Sequence, residues 1–281
     1  MLCIWLVGCH GPKATTQIVA TTLPVYEFTN ALCDGTGIQV TRLITESVSC
    51  LHDYTLQVSQ MRTIESAELV VISGGGLEDF MGDMLDSKEV IDASLNIDLL
   101  CQERSHTHDP GHDHHHDLDP HIWLNPALAQ QMVHNIYNGL VNAYPEHMDI
   151  LIENRYALDA ELEQLTAYGA QQLSSLSSRE LITFHDGFSY MADAFDLEII
   201  HAIEEESGSE ASAHELIELA QLIRKHNIKA IFAEENGSVS AASVIATETG
   251  ATIYRLDMAM ANGSYFDSMY HNINTLKEAL E

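Results

Sequence analysis

Short β-branched runs alternate with helix-patterned stretches twice along this chain, and that alternation limits the fold more than any other feature. In the first half QIVATT (Gln17 to Thr22), VTRLI (Val40 to Ile44), LVVISGGG (Leu69 to Gly76) and VIDAS (Val90 to Ser94) read as strands, with helical patterning around Val25 to Leu32 and in the later intervals. The second half restarts the pattern with LITFHDGF (Leu181 to Phe188), EIIHAI (Glu198 to Ile203), AIFAEEN (Ala230 to Asn236) and TIYRLD (Thr252 to Asp257). Alternating strands and helices imply a parallel or mostly parallel sheet in each half, because a crossover helix returns the chain to the same end of the sheet.

Between the halves, Pro145 to Leu176 holds no strand signal and no internal proline, while Met148, Leu151, Ile152, Leu158, Leu162 and Leu165 recur as apolar residues. The spacing predicts one long helix of about 45 Å, enough to brace two lobes. Ser212-Ala213-His214-Glu215 has capping-box spacing, Leu216, Leu219, Ala220 and Ile223 follow at helical intervals, and Arg224-Lys225-His226 supply the cations a helix C-terminus favours. Met269, Ile273, Leu276 and Leu280 mark a closing amphipathic helix. The expected organisation is a leader and tether at 1–13, an N-terminal α/β lobe at 14–143, a connecting helix at 144–176 and a C-terminal α/β lobe at 177–281.

With 281 residues, 46% of them hydrophobic, the chain can bury two ordinary cores. Its 12 Lys and Arg stand against 42 Asp and Glu, a formal charge of -30 that repels phosphate backbones and disfavours nucleic acid. MLCIWLVGCHGPK opens the chain with an apolar run too short to span a bilayer. Leu6-Val7-Gly8-Cys9 resembles a bacterial lipobox, which implies cleavage before Cys9 and a lipid anchor on its sulfur and amino terminus, although no Lys or Arg precedes the run. Cys33, Cys50 and Cys101 then remain, an odd number without a CxxC pair, and no disulfide framework can be read from them.

The histidines fall into two kinds. His106, His108, His112, His114, His115 and His116 stand among Asp, Thr, Pro and Gly with no apolar periodicity, in a loop at 105–117 suited to loose, exchangeable, low-affinity zinc binding. His121 is followed by Ile122, Trp123 and Leu124, an apolar setting that fixes a ring in place. His52 lies between a strand and a helical segment, and His185 ends a strand, the junctions where α/β folds place ligands. A single strand-end histidine is more often a packing residue. Three such positions beside a histidine-rich insert point instead to a metal site of His52, His121 and His185. Asp257, ending TIYRLD, is the candidate fourth ligand, with a turn or cap as its ordinary alternative. A fourth protein ligand closes a tetrahedral zinc shell, whereas an open position would suit hydrolysis.

LHDYTLQVSQMRTIESAELVVISGGGLEDFM, the DPHIWLNP block behind its histidine-rich loop, TFHDGFSYMADAFDLEII, IKAIFAEENGSVSAASVIATETGA and SYFDSMYHNINTLKEAL together resemble the metal-binding solute-receptor lipoproteins of bacterial ABC importers, specifically the zinc branch. The resemblance covers nearly all of the chain after the leader. It implies two Rossmann-like α/β lobes joined by a rigid helix, with metal in the cleft between them. His52 and His121 would come from the first lobe, and His185 and Asp257 from the second, with Glu204, Glu205 or Glu206 as a substitute carboxylate. Manganese-selective relatives commonly carry glutamate at the third position, so His185 points to Zn2+ as the transported ligand over Mn2+. It further implies an exported monomer, lipid-anchored at the outer face of the cytoplasmic membrane, that hands zinc to an ABC permease without enzymatic chemistry. Leu51 stands where many relatives have proline.

Three rival readings differ in chemistry. A manganese or iron receptor would keep the same fold. A zinc hydrolase would use the three histidines with a metal-bound hydroxide, but no HExxH helix or GxSxG elbow is present. An adhesin role, reported for some relatives, has no mark in this sequence.

Overall fold

A computed structural model describes residues 17–46, 51, 54–101, 118–204, 212–237, 239–260 and 263–281. His52, the six histidines from His106 to His116, Cys9, Cys50, Glu205 and Glu206 lie outside the described residues.

Both expected alternations are present. In the first half β1 (Ile18–Ala20), α1 (Leu23–Leu32), β2 (Val40–Arg42), α2 (Val58–Ser66), β3 (Leu69–Ile72) and β4 (Glu89–Asp92) build a four-stranded sheet of order β2-β1-β3-β4, parallel throughout. After α3 (Pro126–Ala143) and α4 (Met148–Gln172), the second half adds β5 (Glu180–His185), α5 (Ser189–Ala194), β6 (Glu198–Glu204), α6 (Ala213–His226), β7 (Ala230–Glu234), α7 (Ser240–Thr249), β8 (Thr252–Leu256) and α8 (Tyr265–Leu280). Its sheet runs β6-β5-β7-β8, also parallel, so the two lobes share one topology. The strands are shorter than their β-branched runs at nearly every carboxyl end, because the chain turns there into the loops that carry polar groups.

The connecting helix differs from its expected length. Tyr144 leaves helical geometry, Pro145–His147 makes one 3₁₀ turn, and α4 then runs 25 residues, about 37 Å at 1.5 Å per residue. Pro145 explains the break, since a proline has no N–H to continue α3 but can open a new turn. Leu151, Leu158, Leu162 and Leu165 are buried, whereas Met148, at the exposed start, is not. α4 packs against α1, α3 and α8 and so touches elements from both halves. The capping box before α6 forms as expected, Ser212 Oγ accepting from Glu215 N at 3.3 Å and Glu215 Oε2 from Ser212 N at 2.6 Å.

Strand alternation sorts the second lobe into two cores. Leu181, Ala230 and Phe232 face a large apolar cluster that includes β1, β3, α3, α4 and α8, while Ile182, Phe184 and Ile231 face a smaller one with Leu219, Ile223 and Ile245. The larger core crosses from one lobe to the other. Prying the lobes apart would expose side chains such as Tyr190, Met258 and Tyr265, at about 1.5–3 kcal/mol for each large apolar group.

Candidate metal centre

His121 sits on a turn that the sequence makes rigid. Ile122, Trp123 and Leu124 form a fully buried 3₁₀ turn, and Asn125 caps α3 by accepting from Ala127 N and Leu128 N, with Pro126 at the first helical position. Trp123 Nε1 donates to Met258 O at 2.8 Å, so the turn bearing His121 is bonded to the residue that follows Asp257.

The imidazole itself is completely buried, and its Nδ1 lies 2.8 Å from Asp119 Oδ1. The same oxygen accepts from His121 N at 2.9 Å. Asp119 therefore fixes both backbone and ring, and its carboxylate is as buried as the imidazole. With the Nδ1 proton directed at Asp119, Nε2 presents its lone pair, and no hydrogen-bond partner among the described residues meets it. A carboxylate behind one ring nitrogen and a bare second nitrogen is how proteins prepare a histidine for a metal.

His185 approaches from the other lobe at the carboxyl end of β5. Its ring stands edge-on to that of His121, centroids 5.5 Å apart, and is only 3% exposed. A buried carboxylate lies behind it too, Glu234 Oε1 being 3.6 Å from Nδ1, beyond hydrogen-bond range. Glu234 ends β7, the neighbour of β5. Gly187 packs its backbone on the ring, and a Cβ there would come within 2.6 Å of His185 Cδ2.

Asp257 has other company in this structure. Its Oδ1 accepts from Ala259 N and its Oδ2 from Ser268 Oγ, each at 2.8 Å, while Asn272 clasps its backbone N and O. These are the turn contacts named above as its ordinary role, and each carboxylate oxygen keeps a second lone pair beside the bond it accepts. Among the described residues, no three His, Cys, Asp or Glu side chains converge on one metal position. His121 and His185 are the expected ligands that the structure brings together. Cys33 is buried, its thiol pushed up to about 12 by desolvation, and Cys101 is exposed; both are free.

Sequence reasoning gave no role to Asp119, Glu234 or Tyr190. Asp119 had a local signal, an acid two residues before an ordered histidine. Glu234 had a weaker one, an acid at the end of an apolar strand. Tyr190 had none. Its hydroxyl donates to Asp119 O at 3.0 Å and receives Leu100 N at 2.9 Å, and burial pushes the phenol up to about 12, which keeps it protonated.

The chain is similar to known proteins over nearly its whole length. The family model described as "Zinc-uptake complex component A periplasmic" (ZnuA) matches residues 18–279. The chain is 30% identical to the high-affinity zinc uptake system protein ZnuA of Bacillus subtilis over 304 residues, covering 99% of this chain and 95% of that protein. It is 29% identical to the zinc-binding lipoprotein AdcA of Streptococcus pneumoniae over 99% of its own length, but it spans only 59% of that relative. The Zn(II)-bound ZnuA-like domain of Streptococcus pneumoniae AdcA superposes with a TM-score of 0.79 at 27% identity, covering 95% of this chain and 99% of the domain.

Proposed function

This chain belongs to the zinc-uptake complex component A family, and on that premise we propose that it is an extracytoplasmic receptor that captures Zn2+ in its inter-lobe cleft and delivers it to an ABC permease. The observation that carries the reading is the meeting of two buried imidazoles from different lobes, one of them with a bare Nε2. The ligand set is His52, His121 and His185, with Asp257 completing the shell. Neutral imidazole nitrogens suit zinc better than manganese, and a closed shell holds the ion without activating water. Capture and release then require no bond to be made or broken in a substrate.

His106, His108, His112, His114, His115 and His116 act as an auxiliary collector that raises the local zinc concentration. Cys9 carries the lipid that keeps a monomeric receptor at the outer face of the membrane. Among the described residues no helix is long and apolar enough to cross a membrane.

Zinc stoichiometry and affinity, measured by chelator competition, test this reading on protein lacking His106 to Asp117 and on the same protein with His121→Ala. One tight site should survive the deletion and vanish with the substitution. Zinc binding lost with the loop alone would leave the ordered histidines structural and remove the reading's chemical basis.

A further inference from the structure

We propose that Tyr190 is a positioning residue of the metal centre, whose hydroxyl sets the separation of the two imidazole carriers. The inference rests on the receptor reading above and adds to it a control on zinc affinity.

Tyr190 lies in α5, five residues after His185, and is 1% exposed. Its hydroxyl reaches into the other lobe and closes a small ring of hydrogen bonds. It donates to Asp119 O at 3.0 Å and accepts from Leu100 N at 2.9 Å, while Asp119 N donates to Leu100 O at 2.8 Å. Asp119 is thus held at its N–H and its carbonyl, and its carboxylate in turn holds the ring and the N–H of His121. A path of short bonds leads from the lobe of His185, through one phenol, to the residue that aims His121.

Among the described residues, the other polar contacts that join the halves do not end on Asp119. Trp123 Nε1 reaches Met258 O, Tyr265 Oη reaches Trp123 O at 2.8 Å, and Arg42 Nη2 reaches Met260 O at 2.7 Å, all fastening the segment after β8 to the first lobe. Asn125 Nδ2 also meets α5, at Asp193 Oδ2, but over a longer 3.3 Å and from beyond the 3₁₀ turn. A phenylalanine at position 190 would fill the same apolar space and leave Leu100 N and Asp119 O without their shared partner. The positioning of His121 relative to His185 should then loosen while the fold persists.

The test compares Tyr190→Phe with Tyr265→Phe, each of which removes one buried hydroxyl between the halves, with His121→Ala as the control on the site. Folding is confirmed by circular dichroism. Zinc affinity and dissociation rate are then read, together with the visible absorption of the Co2+ form, which reports ligand geometry. Tyr190→Phe should weaken zinc binding by about tenfold, the lower end for outer-shell partners of a metal, mainly through faster dissociation, and should shift the Co2+ bands. Tyr265→Phe, which frees Trp123 O in the His121 turn but leaves Asp119 and the ring of His121 bonded, should lose comparable thermal stability with a smaller loss of affinity and a smaller shift of the Co2+ bands than Tyr190→Phe. A Tyr190→Phe protein with unaltered affinity and spectrum, beside a His121→Ala protein that has lost zinc, would overturn the inference and leave the receptor reading intact. Zinc binding unaffected by His121→Ala would overturn the receptor reading and the role of Tyr190 with it.

Discussion

The two lobes share a strand order yet use it differently. In an open parallel sheet, the crevice for ligands lies beyond the carboxyl ends of the strands where the order reverses, between β1 and β3 in the first lobe and between β5 and β7 in the second. The second lobe places His185 and Glu234 there. The first lobe fills the same position with Glu78, whose carboxylate accepts from Thr21 Oγ1, Ser73 N and Gly74 N and is almost fully buried. Gly74 adopts φ +81 beside Asp92 and Ser94, where a Cβ would lie 2.0 Å from Asp92 Oδ1, so that corner is sealed. The first lobe brings His121 to the cleft from another place, the turn before α3. Identical topology therefore fixes where a site can be, and the local polar groups decide whether that place is a site or a seal.

The backing of the imidazoles differs as well. Asp119 holds His121 at 2.8 Å, and Glu234 stands 3.6 Å from His185. The first-lobe ligand is tied to its carboxylate by a short bond, and the second-lobe ligand has its carboxylate farther off. Removing either imidazole should cost the most, exceeding the roughly 10- to 100-fold loss of metal affinity that outer-shell partners give. Chelator competition on His121→Ala and His185→Ala reads this, and a tight site surviving both would end the comparison. Asp119→Asn and Glu234→Gln sharpen it: about tenfold or more weaker zinc binding for the first, and a smaller loss for the second, whose carboxylate stands farther from its ring. Equal losses would mean that the two imidazoles are held alike.

Gly187→Ala tests the second lobe by sterics alone, since its Cβ would press on the His185 ring and on Met258 Cε at 2.7 Å. A fewfold loss of affinity with little change in melting temperature is expected, read by calorimetry beside zinc titration; unchanged affinity would show that the ring yields freely.

The last expectation concerns the seal, and it is read in stability rather than in zinc affinity. Desolvation pushes the Glu78 carboxyl from 4.5 up to about 7, opposed by its hydrogen bonds from Thr21, Ser73 and Gly74. With the folded value above the unfolded one, its contribution to stability is full below pH 4.5 and is lost as pH rises through about 7. The metal-free protein should lose up to about 3 kcal/mol across that window, and Glu78→Gln should flatten the slope in urea titrations at several pH values. An equal slope in the variant would assign it to other groups.

Much of this was readable along the chain. The strand runs, the Ser212 capping box and the spacing of Met269, Ile273, Leu276 and Leu280 report interactions within a few residues, and those patterns recur in any fold that uses them. His121 stood out because its apolar neighbours are adjacent in sequence. Met148 opens α4, in keeping with its place in the apolar series, yet it is exposed, since an apolar residue at a helix start looks the same whether or not a core lies opposite.

By itself, then, the sequence determined two parallel α/β units, the helices that close them and the histidines worth watching, because these follow from backbone periodicity and residue chemistry at short range. Only the tertiary structure decided that one core crosses both lobes, that Asp119 and Glu234 stand behind the two imidazoles, that Ser268 holds Asp257, and that Tyr190 reaches Asp119 across 71 positions of sequence. Those pairings depend on how the packed lobes face each other, which no local pattern encodes.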